Sequence, residues 1–189
     1  KENEDGNLRL VFARPISRLR LLLVKYTAVS LYTVSFVFFV GVTGYAMAVA
    51  AVGWEGGLFV MEPKMKVFAA YPDWWEGASR LAMSAAGIGL SMITLSSIAF
   101  MFSCFKIKPA AATIGALTYI LVDFIMRNSG FMDNYQHLLV TKHMAVWGRI
   151  LAENIDWPLI WRGYAVIFAV NVTLFTLGYA VFESRDLKS

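Results

Sequence analysis

The sequence has few of the residues that form most catalytic and metal centres. Cys104 is the single cysteine, and His137 and His143 are the only two histidines. One cysteine excludes an internal disulfide and a cysteine-rich metal site. The chain also has no Gly-x-x-x-x-Gly-Lys-Ser/Thr loop, so it lacks the usual nest of backbone amides that binds ATP. We therefore expect no catalytic residue, no metal ligand and no cofactor on this chain, and we expect it not to be an enzyme.

Charged residues are also scarce. They make up 16% of the 189 residues, and hydrophobic residues make up 58%. An ordinary soluble domain has about 25% charged and about 45–50% apolar residues. The net charge of +4 comes from basic residues that flank hydrophobic runs. This placement indicates membrane orientation rather than binding of nucleic acid.

The apolar residues lie in four long runs with almost no charge. A helix needs about 20 mostly apolar residues to cross about 30 Å of hydrocarbon. Backbone groups in lipid must be hydrogen-bonded within the segment, which favours helices for runs of this length. We predict an all-α, polytopic membrane helix bundle that forms one transmembrane domain over 1–189. Its predicted spans are about 26–52, 81–105, 110–126 and 159–182, with outer loops at 53–77 and 127–158 and interfacial outer helices within 132–152.

The basic residues predict the orientation of the bundle. Six of them precede the first span, and positively charged flanks stay in the cytoplasm. An even number of spans then returns the C-terminus to the cytoplasm. Tryptophan side chains favour the headgroup zone, and all six then lie in or beside the outer loops, where they predict an aromatic belt: Trp54, Trp74, Trp75, Trp147, Trp157 and Trp161.

Asp123 is the only acidic residue well inside a predicted span. An intramembrane acid is a candidate functional residue, so Asp123 is a possible polar site for a substrate or an ion. Arg127 follows one helical turn later, however, and the two side chains favour a structural salt bridge. Both interpretations stay open at this point.

The N-terminal segment, residues 1–20, precedes the first span. Acidic residues come first, and apolar Leu8, Val11 and Phe12 recur at helical spacing beside Arg9. Pro15 disfavours helix at the preceding residue and so divides the segment. The pattern predicts a cytoplasmic amphipathic helix, and the simplest interpretation is an anchor that lies on the membrane surface.

The ordered pattern of this segment resembles a known family. Glu-x-Glu-x-Gly-Thr-Leu-Arg, then Pro-x-Ser-Arg, then a lysine before a span, is similar to the signature of type 2 ABC-transporter permeases, which are membrane subunits of bacterial ATP-driven exporters. Asn7 stands in the threonine place and keeps a polar side chain that can cap a helix. The closing sequence Phe182-x-x-Arg185-Asp186-Leu187 also resembles the end of family members. The matching residues of the segment are Glu2, Glu4, Gly6, Leu8, Arg9, Pro15, Ser17, Arg18 and Lys25.

The resemblance implies a transport subunit of the bacterial cytoplasmic (inner) membrane. Its partners would be a separate ATP-binding cassette subunit, which carries ATP and magnesium, and a second permease chain that is identical or related. Family members have two further spans before this segment, so the sequence predicts that two spans are missing here. The ATPase-coupling residues would be Glu2, Glu4, Gly6, Asn7, Leu8, Arg9, Pro15 and Arg18.

Two other functions remain open from the sequence. A membrane scaffold that relays ATPase motion to an outer partner, without transport, would need the same coupling segment. A membrane-embedded enzyme would need clustered histidine or acidic residues, and two histidines and one buried acid fit that poorly. The chemical nature of a substrate cannot be read from the apolar spans.

Overall fold

The computed structural model describes residues 17–53, 57–62, 67–105 and 107–184. Within these residues, four helices are long and apolar enough to cross a membrane. They are α1 (Arg18–Val52), α2 (Trp74–Ser103), α3 (Pro109–Asn128) and α5 (Trp157–Glu183). The fold is therefore an all-α bundle of a multi-pass membrane protein, as the apolar runs predict.

All four spans begin before the first residue predicted from the apolar runs, and in three of them a side chain caps the helix farther out. Ser17 Oγ accepts from the Arg20 amide at 3.3 Å and starts α1 eight residues before the predicted 26. Asp73 accepts from the Trp75 amide at 3.2 Å and starts α2 inside the predicted loop 53–77. Asp156 accepts from the Leu159 amide at 3.1 Å and starts α5. Each cap satisfies an amide that the helix itself leaves unpaired.

A β-hairpin joins α1 to α2, and the sequence prediction of a plain loop missed it. Strands β1 (Leu58–Glu62) and β2 (Val67–Tyr71) are antiparallel, with Leu58 opposite Tyr71 and Glu62 opposite Val67. Ala69 and Tyr71 are buried on one face, whereas Phe59 and Met61 are exposed on the other. We call the end of the bundle that carries this hairpin the hairpin end, and the opposite end the terminal end.

The segment between α3 and α5 folds back into the bundle. It consists of the 3₁₀ helix η1 (Gly130–Leu138), the short helix α4 (Val140–Met144) and the 3₁₀ helix η2 (Ala145–Leu151). The short helix α4 packs against α2, α3 and α5. The prediction of helices within 132–152 thus has a counterpart, but α4 lies among three spans rather than only on the surface.

Helix α2 is the centre of the bundle, since it packs against α1, α3 and α5. Glycine permits close approach at several crossings. A Cβ atom placed on Gly163 of α5 would lie 2.6 Å from Val146 Cγ2 of η2, and one on Gly178 would lie 3.5 Å from Met101 Cα of α2. Small residues allow such packing of backbones in lipid.

Candidate functional site

Most of the predicted coupling residues lie outside the residues that the structure describes. These are Glu2, Glu4, Gly6, Asn7, Leu8, Arg9 and Pro15. Of the set, the structure describes Arg18, together with Ser17 from the same motif.

Ser17 and Arg18 form the junction between the first span and the last. Ser17 caps the start of α1, and Arg18 is the first residue of that helix. The Arg18 guanidinium donates to the backbone carbonyl of Glu183, the last residue of α5, at 3.1 Å. A cation at a helix C-terminus is stabilising because the last carbonyls carry partial negative charge. Ser17 and Arg18 therefore link the start of α1 to the end of α5.

Asp123 is buried on the inner face of α3, with 6% of its surface exposed. Its carboxylate accepts hydrogen bonds from the backbone amides of Val140 at 3.3 Å and Thr141 at 2.8 Å. These amides start α4, where the cap residue is Leu139, whose side chain makes no capping hydrogen bond. Asp123 thus caps α4 from a different helix.

Arg127 binds the same short helix through a different group. Its guanidinium donates to the Thr141 carbonyl at 2.7 Å and lies 5.6 Å from the centre of the Phe124 ring. Asp123 and Arg127, both among the described residues, form no ion pair with each other within 4.0 Å, so the predicted salt bridge is wrong. Asp123 and Arg127 both form hydrogen bonds with backbone groups of residues 140 and 141, because polar backbone groups inside a membrane bundle need partners.

A second polar contact, which the sequence prediction missed, fastens η2 to the hairpin end. The Arg80 guanidinium lies 3.4–3.5 Å from the carbonyl oxygens of Ile150, Ala152 and Glu153, and 3.5 Å from the Glu76 carboxylate. The Tyr71 hydroxyl donates to the Leu151 carbonyl at 3.1 Å. Burial raises the pKa of the Tyr71 phenol, so Tyr71 stays a donor at neutral pH. No feature of the sequence indicates this pairing, because Arg80 and the backbone carbonyl groups that it contacts lie far apart along the chain.

No group of three histidine, cysteine, aspartate or glutamate residues in the described part of the chain could hold a metal ion. The ring Nε2 of His143 lies 3.0 Å from the backbone carbonyl oxygen of His137. The Asp123 carboxylate joins α3 to the start of α4 through two backbone amides.

No family model, no curated protein and no solved structure matches this chain.

Proposed function

We propose that the chain is a transmembrane permease subunit of an ABC transporter of the exporter type. The observation that carries this proposal is the junction at Ser17 and Arg18. The segment that resembles an ATPase-coupling helix runs directly into the capped start of α1, and Arg18 is hydrogen-bonded to the end of α5. A force on the segment would thus reach the first and the last span together.

The proposed mechanism uses the bundle as a rigid body. Two ATP-binding cassette subunits would close around ATP and push the segment 1–20, and the packed helices would follow. Helix α2 contacts α1, α3 and α5, so a displacement of α1 is transmitted to the whole bundle. A second permease chain would complete the substrate path between the two bundles.

The proposed orientation follows from the basic flank of the first span. The terminal end would face the cytoplasm of a bacterial cell, and the hairpin end would face outward. The described tryptophans agree with an aromatic belt at one end, because Trp74 and Trp75 begin α2, Trp147 lies in η2, and Trp157 and Trp161 lie in the first turns of α5.

Variants of the segment test whether it binds the ATPase. Gly6→Val should disturb a helix start or close approach that glycine permits, and Arg9→Glu should place like charges against an acidic groove. Both proteins should insert normally but lose co-purification with the ATP-binding subunit, whereas Lys64→Glu in the predicted outer loop 53–77 should keep it. If both variants bind the ATPase and transport like the parent protein, the segment is only a surface anchor.

The alternative, a scaffold that relays ATPase motion without transport, shares this segment. The two functions differ in substrate dependence. A permease in proteoliposomes should show ATP hydrolysis that rises when a transported compound is supplied. A scaffold should show ATP hydrolysis that responds only to its outer protein partner.

Arg18→Gln tests the transmission step. Loss of the charge weakens the hydrogen bond to the Glu183 carbonyl, so we expect ATPase binding to persist while transport per ATP falls several-fold. Arg20→Gln is the matched control because Arg20 lies two residues along the same helix with an exposed side chain. Equal coupling ratios in the two variants would contradict the role of the Arg18 contact.

A further inference from the structure

A crevice lies between α1 and α2 in the half of the bundle nearer the hairpin end. Its volume is about 460 Å³, which is within the range of about 300–1,000 Å³ that is typical of ligand pockets. The described residues that line it come from one face of α1, from the first two turns of α2 and from the chain that joins these helices.

The crevice continues the interface between α1 and α2, which is closed on the terminal side. There Thr33 Oγ1 and Ser96 Oγ are hydrogen-bonded at 2.8 Å, and a Cβ atom on Gly41 would lie 3.4 Å from Ala85 Cβ. Almost one turn farther along α1, a Cβ atom on Gly44 would meet nothing within 4 Å. The two helices therefore separate beyond Gly41 and leave a gap toward the hairpin end.

The hairpin closes the far end of this gap, but the side of the gap is open. A Cβ atom on Gly77 of α2 would lie 2.9 Å from Leu58 Cβ, so β1 packs on the start of α2. Gly44 and Ala48 both line the crevice and are exposed. Because α1 is long and apolar enough to cross a membrane, this opening faces the hydrocarbon of the bilayer.

The lining of the crevice is apolar. Tyr45 and Trp74 are the two described lining residues whose side chains carry a polar atom, and the others are glycine, alanine, valine or leucine. An apolar cavity does not hold ordered water. If it were empty, the atoms of its wall would lose their dispersion contacts on one side. A hydrocarbon chain restores these contacts without needing a hydrogen-bond partner.

The position and length of the crevice suit an acyl chain of one leaflet. Its lining on α1 runs from Val40 to Val49, and nine residues of helix extend over about 14 Å. This length is close to half of a hydrocarbon core of about 30 Å. Trp74 lies at the start of α2, and indole rings favour the headgroup zone. The crevice therefore runs from the headgroup level toward the middle of the bilayer.

We propose that the crevice between α1 and α2 binds one acyl chain of a phospholipid from the leaflet at the hairpin end. The glycerol of this lipid lies near Trp74, and the end of the chain lies near Gly41. The chain supplies the contacts that α1 lacks with α2 over this half of the span. This inference does not depend on the exporter function.

Native mass spectrometry of the full chain tests the proposal. The protein is reconstituted in vesicles of phosphatidylethanolamine and phosphatidylglycerol, extracted, and washed extensively in detergent. The parent protein should retain one phospholipid per chain. Ala48→Phe fills the crevice and should lower this occupancy several-fold. Ala46→Phe is the matched control and should keep the lipid, because Ala46 is exposed and lies outside the lining.

Three results of this measurement would overturn the proposal. One is a parent protein that retains no phospholipid, and another is equal retention by the two phenylalanine variants. The third is a lipid-free dimer that Ala48→Phe dissociates and Ala46→Phe does not, which would assign the crevice to a second copy of this chain.

A photoreactive lipid gives a second readout that needs no substitution. The vesicles then contain phosphatidylcholine with a diazirine at the end of one acyl chain, and light is applied after the detergent wash has removed the surrounding lipid. Leu81, which lines the crevice, should be labelled several-fold more than Val42, which is 51% exposed and lies outside the lining. Equal labelling of the two residues, or stronger labelling of Val42, would place the retained lipid on the outer surface of α1 and contradict the proposal.

Discussion

At the scale of single residues, the buried carboxylate of Asp123 shows what sequence can and cannot predict. Its place within a span was open to prediction because no other acid lies so deep in an apolar run. Its partner was not, because the Val140 and Thr141 amides reach it only after η1 folds the chain back. Arg127, one helical turn away, is the partner that the sequence suggests. In the structure Asp123 instead accepts from the backbone amides at the start of α4, which have no acceptor within their own helix.

The capping role of Asp123 predicts a loss of stability when the carboxylate is removed. Asp123→Ala leaves the buried Thr141 amide and the partly buried Val140 amide unpaired, and a buried amide without a partner costs about 1–3 kcal/mol. Asp123→Asn keeps one acceptor oxygen and should lose less. The measurement is thermal unfolding in detergent. Asp156→Ala is the control, since this exposed cap of α5 should cost only about 0.5–2 kcal/mol. An Asp123→Ala protein as stable as the parent would contradict the capping role.

At the scale of elements, the spans were predictable and their connections were not. Long uncharged runs mark a helix in lipid whatever its neighbours are, so all four spans were identified. The ends of α1 and α2 depend on single caps, Ser17 and Asp73, which hydropathy does not register. The hairpin was missed because its strands are five residues each and pair only with one another.

The contact between η2 and α5 gives a prediction at this scale. Gly163→Ala would place a methyl group 2.6 Å from Val146 Cγ2, and such overpacking costs about 1–3 kcal/mol. Val146→Ala in the same protein should restore most of the stability. Gly44→Ala in α1 is a matched control, because nothing lies within 4 Å of the added atom. Unfolding of the three variants and the parent protein in detergent measures the change in stability, and equal effects of the two glycine substitutions would refute the close contact.

At the scale of the whole molecule, the bundle has two chemically different ends. The terminal end carries Arg18, Lys25 and Lys108, whereas the hairpin end carries the described tryptophans, the hairpin and the folded-back segment. The four spans put both termini of the described chain at one end, and the Arg18–Glu183 hydrogen bond shows them in contact. The count of the spans follows from the sequence, but the packing of α4 among them follows only from the fold.

This arrangement predicts opposite accessibility for two engineered cysteines. Asn134 in η1 and Ser184 after α5 are both exposed and lie at opposite ends of the bundle. With Cys104 replaced by alanine, an impermeant thiol reagent added to intact cells should label Asn134→Cys and not Ser184→Cys. Permeabilised cells should show labelling of both. Labelling of Ser184→Cys from outside would reverse the proposed orientation.

The hydrogen bond between Arg18 and Glu183 also bears on how the protein is made. It joins residues 165 positions apart, the first of one span and the last of another. Ribosomes deliver a chain from its N-terminus, so α1 enters the bilayer long before its partner exists. During synthesis the first turn of α1 has only α2 to pack against, and the ring of contacts closes when the last span arrives. Completion of the final helix would therefore fix the first turn of α1, so an incomplete chain could not hold that turn in place.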